Sequence, residues 1–234
     1  MKKKPFKNSV SISQKHKKKS IRSFVRRSGR LTASQKRAIQ TLWSKYVIET
    51  DTSKVKDLEN FFDNPRNDLI MEIGFGNGST LLESAINNPQ KNFIGVEVYD
   101  SGFGQCLNDI EKQKINNVRL IYNDAVEVLK NSIKKKALAQ VNIYFPDPWP
   151  KKRHHKRRLI NNNFLLLLSK TMQDKGVINI STDWEDYADQ IQTVFVNNKR
   201  FCVVDSNLRM QKTKFENRGL ALGHKIYNYS YQLD

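Results

Sequence analysis

Short apolar runs alternate with amphipathic stretches from residue 69 onward. The runs at 69–73, 93–97, 118–122, 141–145 and 176–181 are rich in Ile, Val, Leu and Phe. Runs this short, with little polar alternation, fit strands buried on both faces. Between them, 79–87, 101–114, 124–133, 161–171 and 185–197 carry helical periodicity. Pro89 stops the first of these helices. Repeated strand–helix units predict an α/β fold with a doubly wound, mostly parallel sheet. Two later stretches, 201–205 and 225–231, have no helical pattern between them. They predict an antiparallel hairpin, with the C-terminal strand at one edge of the sheet. Upstream, Thr32-Ala33-Ser34-Gln35 can cap a short helix over roughly 35–47. A polar linker then runs to Arg66.

The formal net charge of +18 is unevenly spread. Residues 1–37 hold 14 of the 41 Lys and Arg and no acid, so the remaining 27 cations face all 23 Asp and Glu. The body is nearly neutral and the N-terminus is a basic arm. Residues 1–30 carry too little apolar surface to fold alone and read as mostly disordered. Such an arm is either a solubilising tail or a nucleic-acid clamp, and a second basic cluster at 151–158 favours the clamp. The chain therefore divides into an arm over 1–33, a short helix and linker over 34–66, and an α/β domain over 67–234. Cys106 and Cys202 lack metal-ligand spacing and read as two buried free thiols, which suits a reducing cytoplasm. The charged N-terminus is not followed by the apolar segment of a secretory signal. The aliphatic run 165–168 is too short to span a membrane.

Glu72-Ile73-Gly74-Phe75-Gly76-Asn77-Gly78 ends one predicted strand and opens a helix. Glycines there permit a tight turn and close approach of a ligand to the backbone. Alone the loop says little, because ordinary strand–helix turns use the same residues. Its surroundings add to it. Glu97 ends the next strand, where an acid can accept from both hydroxyls of a ribose. Asn123 and Asp124 follow the third strand. Asp124 can accept from an adenine amino group or cap the following helix. The third glycine comes one residue too early for a dinucleotide fingerprint. Glu72 would also repel a pyrophosphate while attracting a cation. S-adenosylmethionine carries a sulfonium and an ammonium, so the sign of these acids favours that donor over a nicotinamide cofactor.

Residues 145–158 read Phe-Pro-Asp-Pro-Trp-Pro-Lys-Lys-Arg-His-His-Lys-Arg-Arg. Asp147 stands between two prolines at the C-terminal end of the predicted fourth strand, the end a parallel sheet uses for ligands. Six Lys or Arg within 151–158 suggest a polyanionic substrate. Trp149 either stacks on a base or packs as a core ring. His154 and His155 read as neighbours of phosphate rather than metal ligands, and no metal is expected.

Taken together, these segments resemble the bacterial tRNA (guanine-N7-)-methyltransferase family. The resemblance is carried by the glycine loop 72–78, by Gly95-Val96-Glu97-Val98 and by Asn123-Asp124-Ala125. It continues through Phe145-Pro146-Asp147-Pro148-Trp149-Pro150-Lys151, Arg153 to Arg158, Ser181-Thr182-Asp183-Trp184-Glu185, Thr213-Lys214-Phe215-Glu216 and Gly223-His224. It extends from about Ile21 to the C-terminus. The Pro-Asp-Pro-Trp and Thr-Lys-Phe-Glu segments are its specific parts. The resemblance implies a Rossmann-like class I methyltransferase sheet and methyl transfer from S-adenosylmethionine to N7 of guanine 46 in the tRNA variable loop. It implies donor binding by Glu72, Gly74, Gly76, Gly78, Glu97, Asn123, Asp124 and Asp147, with Asp147 as the catalytic residue. Lys151, Asp183, Thr213, Lys214, Phe215 and Glu216 match substrate-binding positions. Arg153, His154, His155, Lys156, Arg157 and Arg158 match an RNA-contacting segment. The implied partner is tRNA, for a monomer or weak homodimer.

Guanine N7 has a free lone pair and no proton, so its attack on a methyl group needs alignment rather than a general base. A carboxylate nearby favours the positive charge that the purine gains. Asp147 therefore reads as an orienting and electrostatic group. With Asp183 it can also accept from guanine N1–H and the exocyclic amine. Two other readings compete. A non-catalytic tRNA-binding module would need only the arm and the basic run. An exocyclic-amine methyltransferase would favour two prolines before its aromatic ring, where this chain has one. Deleting residues 1–30 is expected to weaken tRNA binding and leave donor affinity unchanged.

Overall fold

The computed structural model describes residues 22–25, 30–50, 55–205, 216, 223 and 225–234. The five apolar runs form β1 (Leu69–Ile73), β2 (Asn92–Glu97), β3 (Val118–Tyr122), β4 (Leu138–Tyr144) and β5 (Met172–Thr182). The amphipathic stretches form α1 (Ala33–Tyr46), α2 (Ser79–Asn87), α3 (Asp100–Gln113), α4 (Ala125–Asn131), α5 (Asn162–Thr171) and α6 (Glu185–Val196). Every residue of β1 and β2 is buried, as strands covered on both faces require.

β6 (Phe201–Val203) and β7 (Tyr227–Leu233) complete a seven-stranded sheet of order β3-β2-β1-β4-β5-β7-β6. β1 to β5 pair in parallel, and β7 runs antiparallel to both β5 and β6. The antiparallel C-terminal strand therefore lies one place in from the edge that the sequence assigns to it. The three-residue β6 covers its outer side, and so short an edge offers little template for pairing with another chain. β4 and β5 also start earlier than their apolar runs. Leu138 pairs with Met172, and the register then shifts before Gln140 meets Val177. The irregularity takes up the polar residues Gln173, Asp174 and Lys175, which hide the start of β5 from a hydrophobicity reading.

Alternate residues of the strands feed two cores. Leu69, Met71 and Ile73 pack with Val128, Leu165 and Ile191 from α4, α5 and α6. Ile70 and Phe93 pack with Leu81, Phe103 and Leu107 from α2 and α3. Burying each such side chain contributes about 1.5–3 kcal/mol. α1 joins the second core through Ala38 and Tyr46, so it is part of the domain's packing. Its N-terminus is a capping box, in which Thr32 Oγ1 accepts from the Gln35 N–H and Gln35 Oε1 from the Thr32 N–H. Gly104 of α3 lets α1 approach closely, since a Cβ there would stand 2.9 Å from Cβ of Gln35. Cys106 is buried as expected, but Cys202 is exposed because β6 is the sheet's edge. Among the described residues, no helix is long and apolar enough to cross a membrane.

Candidate active site

From β1, the sheet runs outward through β2 to β3 on one side and through β4 to β5 on the other. The chain connections diverge at that point and leave a crevice at the C-terminal strand ends, where ligands of open α/β sheets bind. A cavity of about 480 Å³ opens there, within the range of small-molecule and cofactor sites. Its wall is built from the glycine loop, the ends of β2 and β4, Asn123 and Asp124, and Ser23 and Phe24 of the arm.

The glycine loop takes its shape from left-handed backbone at Gly74 (φ 74°), Gly76 (φ 59°) and Gly78 (φ 83°). Gly78 is doubly constrained, because a Cβ there would also clash with Cys106 Sγ. Gly78 is absent from the cavity lining and supports the loop from behind. Glu97 locks the loop to β2. Its Oε2 accepts from the Gly76 N–H at 2.9 Å, and its Oε1 accepts from the N–H groups of Val98 (2.6 Å) and Tyr99 (3.2 Å). Burial raises the Glu97 pKa, against the opposing pull of these three N–H bonds.

Glu72, at the end of β1, is buried in the cavity wall. Among the described residues its carboxyl has no hydrogen-bond or ion-pair partner. Burial, and then the neighbouring charge of Glu97, push its pKa up to about 8. A cation entering the cavity would oppose both effects. Asp124 does cap α4, accepting from the Val126 N–H at 2.9 Å, and it lines the cavity as well. Burial raises its pKa, and Arg22 of the arm partly offsets this. Asn123 accepts from the Asp124 N–H at 2.8 Å and donates to Thr50 Oγ1 at 3.0 Å.

Asp147 follows β4, is exposed, and borders the same cavity. Its loop is anchored to the neighbouring strand, where the Phe145 N–H donates to the Ser181 carbonyl at 2.8 Å. Asp183 is exposed just beyond the end of β5, so the two acids leave adjacent strands at the same end of the sheet. Trp149 is neither a core ring nor free of the protein. Its indole N–H donates to the Ser23 carbonyl at 3.0 Å, and the Arg157 guanidinium lies 4.8 Å from its ring centroid.

The basic run forms a 3-10 turn over Lys152–Arg157. Lys151, Lys152, Arg153 and Lys156 are exposed, while His154, His155 and Arg157 are half-buried. The His154 pKa is lowered, first by desolvation and then by the surrounding cations. Arg158 departs from the RNA-contacting assignment. Its guanidinium is buried and paired inside the protein, so no phosphate can reach it. Thr213, Lys214, Phe215 and His224 lie outside the described residues, and Glu216 is buried.

Sequence reasoning missed the arm's place in the cavity. Tyr99 Oη donates to the Val25 carbonyl at 2.9 Å, and with the Trp149 bond this lays residues 22–25 along the cavity rim. The only signal was Phe24 and Val25 within an otherwise polar stretch. Residues 22–25 are therefore held to the domain through their backbone, with Ser23 and Phe24 half-buried, where the reading of 1–30 expected disorder.

A family model described as "Putative methyltransferase" matches residues 66–229. The tRNA (guanine-N(7)-)-methyltransferase of Francisella philomiragia is 38% identical over 228 residues, covering 95% of this chain and 99% of that protein. The enzyme of the same name from Alkalilimnicola ehrlichii is 40% identical, covering 92% and 93%. The chain belongs to the tRNA (guanine-N7-)-methyltransferase family. A solved 16S rRNA methyltransferase shares the fold, with a TM-score of 0.55 at 11% identity, covering 81% of this chain and 99% of that one. The chain's seven-stranded Rossmann-like sheet accounts for the crevice. The residues lining it are this chain's own, and their acids suit a cationic ligand.

Proposed function

We propose that the protein transfers a methyl group from S-adenosylmethionine to N7 of guanine 46 in the variable loop of tRNA, in the cytoplasm. The observation that carries this reading is the convergence of Glu72, Glu97, Asp124 and Asp147 on one cavity, with the exposed cations Lys151, Lys152, Arg153 and Lys156 following Asp147 in the chain. The donor supplies an electrophilic methyl carbon on a sulfonium. Glu72 offers a buried carboxyl whose charged form a cationic ligand would favour against burial and Glu97. Glu97, already ordered by three backbone N–H groups, retains lone pairs for the ribose hydroxyls. Asn123 and Asp124 face the adenine end.

Asp147 orients the guanine and favours the charge developing on the purine. Asp183, from the next strand, shares the recognition of N1–H and the exocyclic amine. Each charge-assisted bond contributes about 1.5–3 kcal/mol. No residue is required to remove a proton from N7. Lys151 and Glu216, with Thr213, Lys214 and Phe215, complete the substrate side. Arg153, His154, His155, Lys156 and Arg157 hold the phosphates. The test is transfer of labelled methyl to tRNA followed by chain cleavage at N7-methylguanosine. Label on an exocyclic amine would replace this reading with an amine methyltransferase.

A further inference from the structure

Arg158 ends the basic run, yet its side chain is only 1% exposed. A buried guanidinium persists only where its donors are met. Its Nε–H donates to the Pro148 carbonyl at 2.8 Å. Nη1 donates to the Asp186 carbonyl at 3.3 Å and to Gln190 Oε1 at 2.8 Å. Nη2 donates to the Asp186 carboxylate and lies 3.2 Å from His155 Nε2. The guanidinium carbon sits 4.9 Å from the centroid of the Tyr187 ring. Apart from His155, these partners belong to two places. Pro148 adjoins Asp147. Asp186, Tyr187 and Gln190 form the start of α6, the helix that opens just after Asp183.

The loop carrying Asp147 has few other ways to hold its shape. Pro146, Pro148 and Pro150 lack an N–H, so across 146–150 only Asp147 and Trp149 can donate from the backbone. Phe145 (φ 51°) and Trp149 (φ 47°) hold left-handed backbone, which bulky L residues keep only where the surroundings enforce it. The Arg158–Pro148 bond falls between these two positions.

We infer that Arg158 is a positioning residue. It ties the loop of Asp147 to the helix after Asp183, and so sets both acids against the same base. The inference rests on the guanine-reading roles proposed above for those acids. It also distinguishes Arg158 from the other cations of its run, which face solvent or line the surface.

Arg158→Lys tests it, because lysine keeps the charge but lacks the planar fork that reaches Pro148 and α6 together. At saturating donor and tRNA, kcat falls about tenfold or more, while both Kd values stay within about twofold of wild type. The salt dependence of tRNA binding is unchanged. Replacing the target guanine by inosine removes the exocyclic amine, and its effect on kcat shrinks in Arg158→Lys. A variant that was merely less stable would leave that effect intact. Wild-type kcat, or a salt slope lowered by about 0.9 with kcat intact, overturns the inference. If Arg158→Lys fails to fold, Asp186→Asn reaches the same guanidinium from the exposed side of α6. There too kcat falls with both Kd values unchanged, and wild-type kcat overturns the inference. Absence of guanine methylation by the wild-type protein would instead refute the underlying reading.

Discussion

The Trp149 indole N–H donates to the Ser23 carbonyl at 3.0 Å, joining the N-terminal arm to the loop that carries Asp147. Ser23 and Phe24 also wall the cavity at the strand ends. The arm is therefore more than a charged tail. Deleting residues 1–20 is expected to weaken tRNA binding and flatten its salt dependence, with donor affinity unchanged. Deleting residues 1–30 is expected to weaken donor affinity as well, contrary to the expectation from charge alone. Calorimetric titration of both truncations with S-adenosylmethionine decides the point. Equal donor affinities would show that residues 21–30 do not contribute to the donor site.

Glu72 predicts a pH dependence. Its pKa rises from an ordinary 4.5 to about 8 in the folded protein. Below pH 4.5 the group is neutral in both states. Between there and pH 8 the unfolded chain ionises first, so the donor-free protein loses stability as pH rises. Glu72→Gln removes this loss. The variant's melting temperature relative to wild type should climb across that window, and donor should restore wild type more than variant at pH 8. Parallel melting curves at all pH values would rule out a buried, raised carboxyl.

Asp147→Asn keeps the side chain's shape and removes its charge. The expected result is a fall in kcat of about 10²-fold, beyond a smaller loss of donor affinity from the missing carboxylate. The pH profile of the residual activity should keep its shape, because no proton leaves N7. A profile that loses an acidic limb would assign Asp147 to proton transfer instead.

Arg153→Ala and Lys156→Ala remove exposed cations. Each should weaken tRNA binding and lower the magnitude of the salt slope by about 0.7–0.9, leaving donor affinity alone. Filter binding across a salt series measures this. Unchanged slopes would mean that the 3-10 turn does not touch phosphate.

Much of this was legible in the chain. β1 to β3 lie where the apolar runs put them, because parallel strands buried on both faces leave an uninterrupted apolar record. Glu72, Glu97, Asp124 and Asp147 were legible because each lies at or just beyond the C-terminal end of a parallel strand, at the same end of the sheet. Other features depend on contacts distant in sequence. The place of β7 between β5 and β6 is a choice of pairing that no local pattern encodes. Arg158 looked like its cationic neighbours, and only the approach of α6 buries it. Ser23 and Phe24 lay in a segment whose charge concealed their place in the cavity wall.

The most direct measurement of the central claim is the position of the methyl group in tRNA treated with the full-length protein and labelled S-adenosylmethionine. The account predicts label at N7 of guanine 46, read as chain cleavage at that nucleotide, and its loss when that guanine is replaced by adenine. Label at another atom or another nucleotide, or no label in a tRNA carrying that guanine, would contradict it.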